Sequence, residues 1–285
     1  MISYNNINNN LTQPPRGTEC ITLGRIAPDF IALSTKGYIR LSDYRGKWVI
    51  LSSQSAAFGS VSTTEMIGAA QFYPELQKRN TELIALTTDN LHANMAWVYD
   101  IYLKTGITIP FPIIADGDLQ ISELYGMLNP DRLYGETVRD AFIINPFGRI
   151  RAILTLPLSC GRNGEELLRI IDSLQITEQY NLYTPADWHQ GDPVLLPIPN
   201  TYDELIDRIN NAEELGIQCP FWYVCYTDLP SVPNVDNNTN PQDANSNWYK
   251  YYMHHLIDGY VVRYNHLFNW KIILKITIDL YKNTC

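Results

Sequence analysis

The residues of this 285-residue chain best suited to nucleophilic or redox work are its five cysteines, at positions 20, 160, 219, 225 and 285. A cysteine reacts as the thiolate, so a useful one needs positive charge or a helix N-terminus beside it. Cys160 sits between Leu158-Ser159 and Gly161-Arg162, at a predicted strand-to-helix connection where a helix dipole favours an anion. Cys219 and Cys225 bracket the aromatic run Pro220-Phe221-Trp222-Tyr223. Two small buried hydrophobes is the preferred reading of that pair, with a local or intermolecular disulfide as the alternative. Cys285, the last residue, is the stronger candidate for a cross-link between chains. No CxxC pair and no Cys/His spacing of a zinc site occurs, so neither metal nor cofactor is expected. His92, His189 and His266 are isolated, and the adjacent His254 and His255 cannot share a helical face. Ser62-Thr63-Thr64-Glu65 ahead of an apolar-periodic run reads as a capping box, with Ser62 accepting from the Glu65 amide and Glu65 reaching back. Such a cap stabilises a helix by about 1 kcal/mol.

The elements that must position these groups alternate between strands and helices. Apolar runs predict strands at 48–53, 82–88, 138–144 and 150–155, the last two joined by the turn Asn145-Pro146-Phe147-Gly148. Helical periods predict helices over 63–79, 91–105, 120–125 and 164–175, and 109–114 is an extended Pro-containing segment. This βαβ alternation implies an α/β fold, a sheet covered by helices. Residues 1–19 form an Asn-rich N-terminal arm, and residues 231–250 a polar linker. Lys271 to Tyr281 alternates, with Ile272, Leu274, Ile276, Ile278 and Leu280 on one side, as a half-buried strand does.

Residues 54–65 resemble the signature of one-cysteine peroxiredoxins, His-Pro-x-Asp-Phe-Thr-Pro-Val-Cys-Thr-Thr-Glu. Phe58, Val61 and Thr63-Thr64-Glu65 keep its frame. Ser62 stands in the place of the peroxide-attacking cysteine, Gly59 of the threonine, Ser55 of the first proline, Gln54 of the histidine, Ala57 of the aspartate and Ser60 of the second proline. The resemblance continues through Ala27-Pro28-Asp29-Phe30, Ala96-Trp97, Phe111-Pro112-Ile113-Ile114-Ala115-Asp116, Tyr125-Gly126-Met127 and Gly161-Arg162-Asn163. Arg139 matches the arginine that faces the reactive sulfur. The resemblance implies a thioredoxin-like core over 20–175, a small dimer-associated α+β domain over 176–230 carrying Thr184-Pro185-Ala186-Asp187-Trp188 and Gly191-Asp192, and an extension over 231–285. Some members of the longer subgroup also carry a phospholipase set of Ser, His and Asp. Its positions fall near Ser42, Gly46-Lys47-Trp48 and Phe147, none of them the required type. The chain is also similar to the peroxiredoxin-like part of clostridial spore-coat proteins.

A serine hydroxyl ionises far too weakly to replace the thiolate, and oxygen has no sulfenate chemistry. Gln54, Ser55, Gly59, Ser62 and Arg139 are therefore read as a vestigial pocket. The expectation is a catalytically inactive structural protein, not an enzyme, that self-assembles as a homo-oligomer or fibre in a spore-surface layer, through the N-terminal arm and Lys271 to Tyr281. The alternatives are a thiol peroxidase using a relocated cysteine, Cys160, and a module binding a small ligand or partner in the old pocket. A net charge of −9 without a Lys/Arg cluster argues against nucleic acid, no apolar run is long enough to span a bilayer, and no signal peptide is expected.

Overall fold

The computed structural model describes residues 21–129 and 136–229. In chain order the elements are β1 (Ile31–Ser34), β2 (Gly37–Arg40), a 3-10 turn (Leu41–Tyr44), β3 (Trp48–Ser53), α1 (Ser60–Lys78), β4 (Thr81–Thr87), α2 (Leu91–Thr105), β5 (Ile113–Ala115), α3 (Gln120–Leu124), β6 (Arg139–Ile144), β7 (Ile150–Leu156), α4 (Gly164–Tyr180), β8 (Val194–Leu195), α5 (Tyr202–Asn211), β9 (Gln218–Phe221) and β10 (Val224–Thr227). The first seven strands form one sheet in the order β2-β1-β5-β4-β3-β6-β7. β3 runs parallel to β4 and β4 to β5, while β6 and β7 add antiparallel on the other side.

β3 and β6 are covered on both faces, so every residue in them is buried, and their apolar residues run together as Trp48 to Leu51 and Ala141 to Ile144. On one face Ile50, Ala85, Ala141 and Ile143 meet Met66, Ala69, Tyr73 and Leu76 of α1, Trp97 and Ile101 of α2, and Leu167 and Ile171 of α4. On the other, Val49, Leu51, Ile84, Leu86 and Phe142 meet Phe30, Leu41, Ile121 and Tyr125. The thioredoxin-like α/β fold expected of the chain is therefore present, with a smaller sheet, β8-β10-β9, beyond α4. Among the described residues no helix is long and apolar enough to cross a membrane.

The periods predict α2 and β3 to the residue, because each carries its own boundaries. Asn90 caps α2 by accepting from the Ala93 amide at 2.9 Å, and Gly106 ends it at φ 72°. Helix α4 runs five residues past the predicted Gln175, since Ile176 continues its buried face until Asn181 turns left-handed. The short strands β1 and β2 lack a clear period and emerge only from pairing with each other and with β5.

Two local expectations are corrected. Helix α1 begins at Ser60, with Gly59 as its extended N-cap and no side-chain cap, so Ser62 lies inside the helix and the capping box does not form. Cys219 and Cys225 are not free thiols: they are joined as a disulfide, because the β9–β10 hairpin sets them across from one another with Cα atoms 4.1 Å apart. The N-terminal arm, the linker, Lys271 to Tyr281, Cys20 and Cys285 lie outside the described residues.

Candidate active site

The site forms at the carboxyl end of β3, where the chain leaves the sheet through Gln54 to Gly59 and enters α1, the usual location for a site on an open α/β sheet. Gln54 is buried and pinned at both main-chain groups: its amide donates to the Leu86 carbonyl at 2.7 Å, and its carbonyl accepts from Thr137 Oγ1 at 2.9 Å. Asp89 accepts from the Ala57 amide at 2.6 Å, and Phe58 turns the loop at φ 59°. At Gly59 a Cβ would lie 3.2 Å from both the Ala56 carbonyl and Ser62 Oγ, so the turn closes tightly over position 62.

Ser62 is fully buried. Its Oγ lies 3.2 Å from Ser55 Oγ and accepts from Arg139 Nη1 at 3.3 Å. Both distances exceed the usual range for such hydrogen bonds, so each contact is weak. Among the described residues the side chains bonded to Ser62 Oγ are Ser55 and Arg139, and neither is a base that would activate it as a nucleophile.

Arg139 projects from the first residue of β6 and is only 2% exposed. Its Nε donates to the Leu158 carbonyl at 2.8 Å, and its Nη1 donates to Glu65 at 3.1 Å and to Gln54 Oε1 and Ser62 Oγ at 3.3 Å. Its Nη2 meets no hydrogen-bond acceptor among the described residues. Burial pulls the guanidinium below its ordinary value, and Glu65 opposes that pull.

The residue that pattern reading undervalued is Glu65. Instead of capping α1, its carboxylate sits between two buried guanidinium groups, accepting from Arg162 Nη2 at 2.6 Å and from Arg139 Nη1 at 3.1 Å. It also accepts from the Arg162 amide at 2.6 Å and from Arg162 Nε at 3.1 Å. Two fixed cations outcompete a main-chain cap because charge-assisted hydrogen bonds are about twice as strong as neutral ones. Burial pushes the Glu65 carboxyl up, but the hydrogen bonds and charge of Arg162, with the charge of Arg139, hold it below the usual carboxylate value. Arg162 uses its remaining donors on the Asp140 carbonyl at 2.6 Å and the Ser53 carbonyl at 2.9 Å. The only hint of this in the sequence was Arg162 in Gly161-Arg162-Asn163.

These arginines anchor the loop between β7 and α4. Arg139 holds it at Leu158 and Arg162 at its own position, and between them the Cys160 amide donates to the Pro157 carbonyl at 3.0 Å. A Cβ on Gly161 would lie 3.4 Å from Val61 Cγ1, so this loop lies against the first turn of α1. Cys160 is exposed, is the one free cysteine among the described residues, and lies within electrostatic reach of Arg139. Cys160 thus lies at the rim of the cluster that also holds Ser62.

The other candidates are not brought into such a set. Ser42 donates its amide and hydroxyl to Asp29, at 2.9 and 2.8 Å, and Lys47 pairs with Glu82. The Gly46 amide donates to the Pro146 carbonyl at 3.0 Å, which brings two of the phospholipase positions together without supplying a serine, histidine or aspartate at them. No group of three or more His, Cys, Asp or Glu among the described residues could hold a metal.

Residues 23–153 match the AhpC/TSA family, and residues 173–211 match the C-terminal domain of 1-Cys peroxiredoxin. The chain is 48% identical over 204 residues to Peroxiredoxin 2 of Caldanaerobacter subterraneus subsp. tengcongensis, covering 72% of this chain and 91% of that one. It is 39% identical over 214 residues to a peroxiredoxin of Aquifex aeolicus, covering 71% and 95%. The solved structure of a yeast mitochondrial 1-Cys peroxiredoxin aligns with a TM-score of 0.66 at 33% identity, over 73% of this chain and 99% of that one. A cysteine-to-serine mutant of Peroxiredoxin 6 of Arenicola Marina gives the same score at 34% identity, over 74% and 100%. These findings overturn the expectation of an inert structural protein that is not an enzyme. Relatives spanning most of the chain are named peroxiredoxins, and their names point to peroxidase chemistry rather than to a scaffold.

Proposed function

The chain belongs to the peroxiredoxin family, and from that premise we propose that it is a thiol-dependent peroxidase whose reacting sulfur is that of Cys160. The observation that carries the reading is the place of Cys160: an exposed free thiol on a loop clamped by two buried arginines. In the reaction the Cys160 thiolate attacks one oxygen of a hydroperoxide, the O–O bond breaks, and water or an alcohol leaves after taking up a proton. The sulfur, oxidised by two electrons, is left as a sulfenic acid. A thiol reductant then displaces water to give a mixed disulfide, and a second equivalent releases Cys160 as the thiol. Arg139 is the fixed cation of the site, and its Nη2, which meets no acceptor among the described residues, is the donor assigned to a developing oxyanion. Ser62 takes no part in bond making.

Self-association belongs to the same reading. β7 is an edge of the large sheet, and its outer side has no partner strand among the described residues, so a second copy could continue the sheet there.

The test is hydrogen peroxide consumption by the full chain with dithiothreitol as reductant. Turnover is expected in the unaltered protein and in Ser62→Ala, and is expected to be lost in Cys160→Ala. Turnover that survives Cys160→Ala, or none in the unaltered protein, overturns the assignment.

A further inference from the structure

Glu65 is the single acid in a buried trio with two arginines, and all three groups lie close to the loop that carries Cys160. Its side chain is 7% exposed, and those of Arg139 and Arg162 are 2% and 5% exposed. The trio therefore carries a net charge of +1 where water screens poorly. Glu65 receives four hydrogen bonds, one from Arg139 and three from Arg162, so its charge is spent on both cations at once. Arg139 is one of the two guanidinium groups that Glu65 offsets, it holds the loop at Leu158, and its Nη2 meets no acceptor among the described residues.

We infer that Glu65 is a positioning residue that sets the charge felt at Cys160, moderating the two arginines while fixing the loop that presents the sulfur. This rests on Cys160 being the reacting residue, as proposed above. The groups facing that loop divide the work. Arg139 comes from β6, Glu65 from α1 and Arg162 from the loop itself, and the carboxylate of Asp140 is engaged by Thr155. With Glu65 ionised the trio carries a net single positive charge; with it neutralised, two.

Alkylation of Cys160 in the full chain, followed peptide by peptide by mass spectrometry at neutral pH and low salt, reads this charge without any peroxide. Iodoacetate carries a negative charge and iodoacetamide does not, so the ratio of their rates reports local potential. A merely looser loop would speed both reagents alike and leave the ratio where it was. Glu65→Gln keeps the side-chain shape and removes the charge. One extra unit charge within a Debye length of ~8 Å raises the local concentration of an anion by roughly two- to threefold in water. The ratio is expected to rise by that factor in Glu65→Gln, to fall below the unaltered value in Arg139→Met, and to return to it in Glu65→Asp. If Glu65→Gln does not fold, the unaltered protein still decides. Its ratio must exceed that of the urea-unfolded chain at low salt and approach it at high salt.

A ratio unchanged in Glu65→Gln, or one equal in folded and unfolded chain, overturns the inference. The two proposals fail separately. A charge effect without Cys160-dependent peroxide turnover would keep the electrostatics and discard the peroxidase. Turnover lost in Cys160→Ala with an unmoved ratio would do the reverse.

Discussion

Replacing Arg162 with alanine tests whether the loop carrying Cys160 is held by the buried ion cluster. The side chain is 5% exposed and makes four hydrogen bonds: two to the Glu65 carboxylate, one to the Asp140 carbonyl and one to the Ser53 carbonyl. Its loss leaves two main-chain acceptors of β3 and β6 short of a donor and Glu65 with half of its cationic surroundings. Removing one partner of a buried ionic group costs about 3–5 kcal/mol. Arg139 and the residue 162 amide still serve Glu65, which puts the cost at the lower end of that range, ~3 kcal/mol. With an m-value of roughly 2–3 kcal/mol/M in urea, the unfolding midpoint should fall by about 1 M or slightly more. Arg162→Lys should recover only part of this, because an ammonium cannot reproduce the forked contacts. The assay is equilibrium urea unfolding at fixed protein concentration, followed by tryptophan fluorescence and far-UV circular dichroism. A midpoint shift below ~0.3 M, equivalent to under about 1 kcal/mol, would refute the claim that this cluster holds the loop to the sheet.

Ser62→Ala should cost less than ~1 kcal/mol, because the two contacts it removes are long and Arg139 keeps Glu65 and Leu158 as acceptors; a loss of 2 kcal/mol or more in the same urea assay would show that this oxygen carries structural weight. Acid stability should depend on Glu65. Its carboxyl is held below the value it has in the unfolded chain, so the unfolded state binds the proton first as pH falls. Its contribution is complete above the unfolded value of about 4.3 and is lost as pH drops through the lower folded value. Asp140, raised by burial, works in the opposite sense over the same acid range. Midpoints for urea unfolding between pH 6 and pH 3 should therefore decline more steeply in the unaltered protein than in Glu65→Gln, and parallel curves would contradict this. Peroxide consumption abolished by Cys160→Ala and kept by Ser62→Ala remains the decisive functional measurement.

Legibility in the sequence followed the range of the interactions. Helix α2 could be read to its ends because Asn90, Gly106 and an apolar period lie within the helix and its flanks. Strand β3 could be read because its first four residues, Trp48-Val49-Ile50-Leu51, form the unbroken apolar run of a doubly buried strand. The frame Phe58, Val61 and Thr63-Thr64-Glu65 was enough to suggest the family, and the absence of sulfur at position 62 was plain. The same local reading failed at Glu65. A capping box is a contact over three residues, whereas the contact that formed joins residues 97 positions apart.

Composition and periodicity by themselves thus determined the α/β architecture, the strands and helices that build the sheet, and the lack of a thiol at the helix start. Only tertiary structure decided what Glu65 binds, that Cys219 and Cys225 are joined, and that Cys160 stands at the rim of the arginine cluster. The physical reason is that a charged side chain takes whichever partner the fold presents with the best geometry and least water, and that partner came from another strand and another loop.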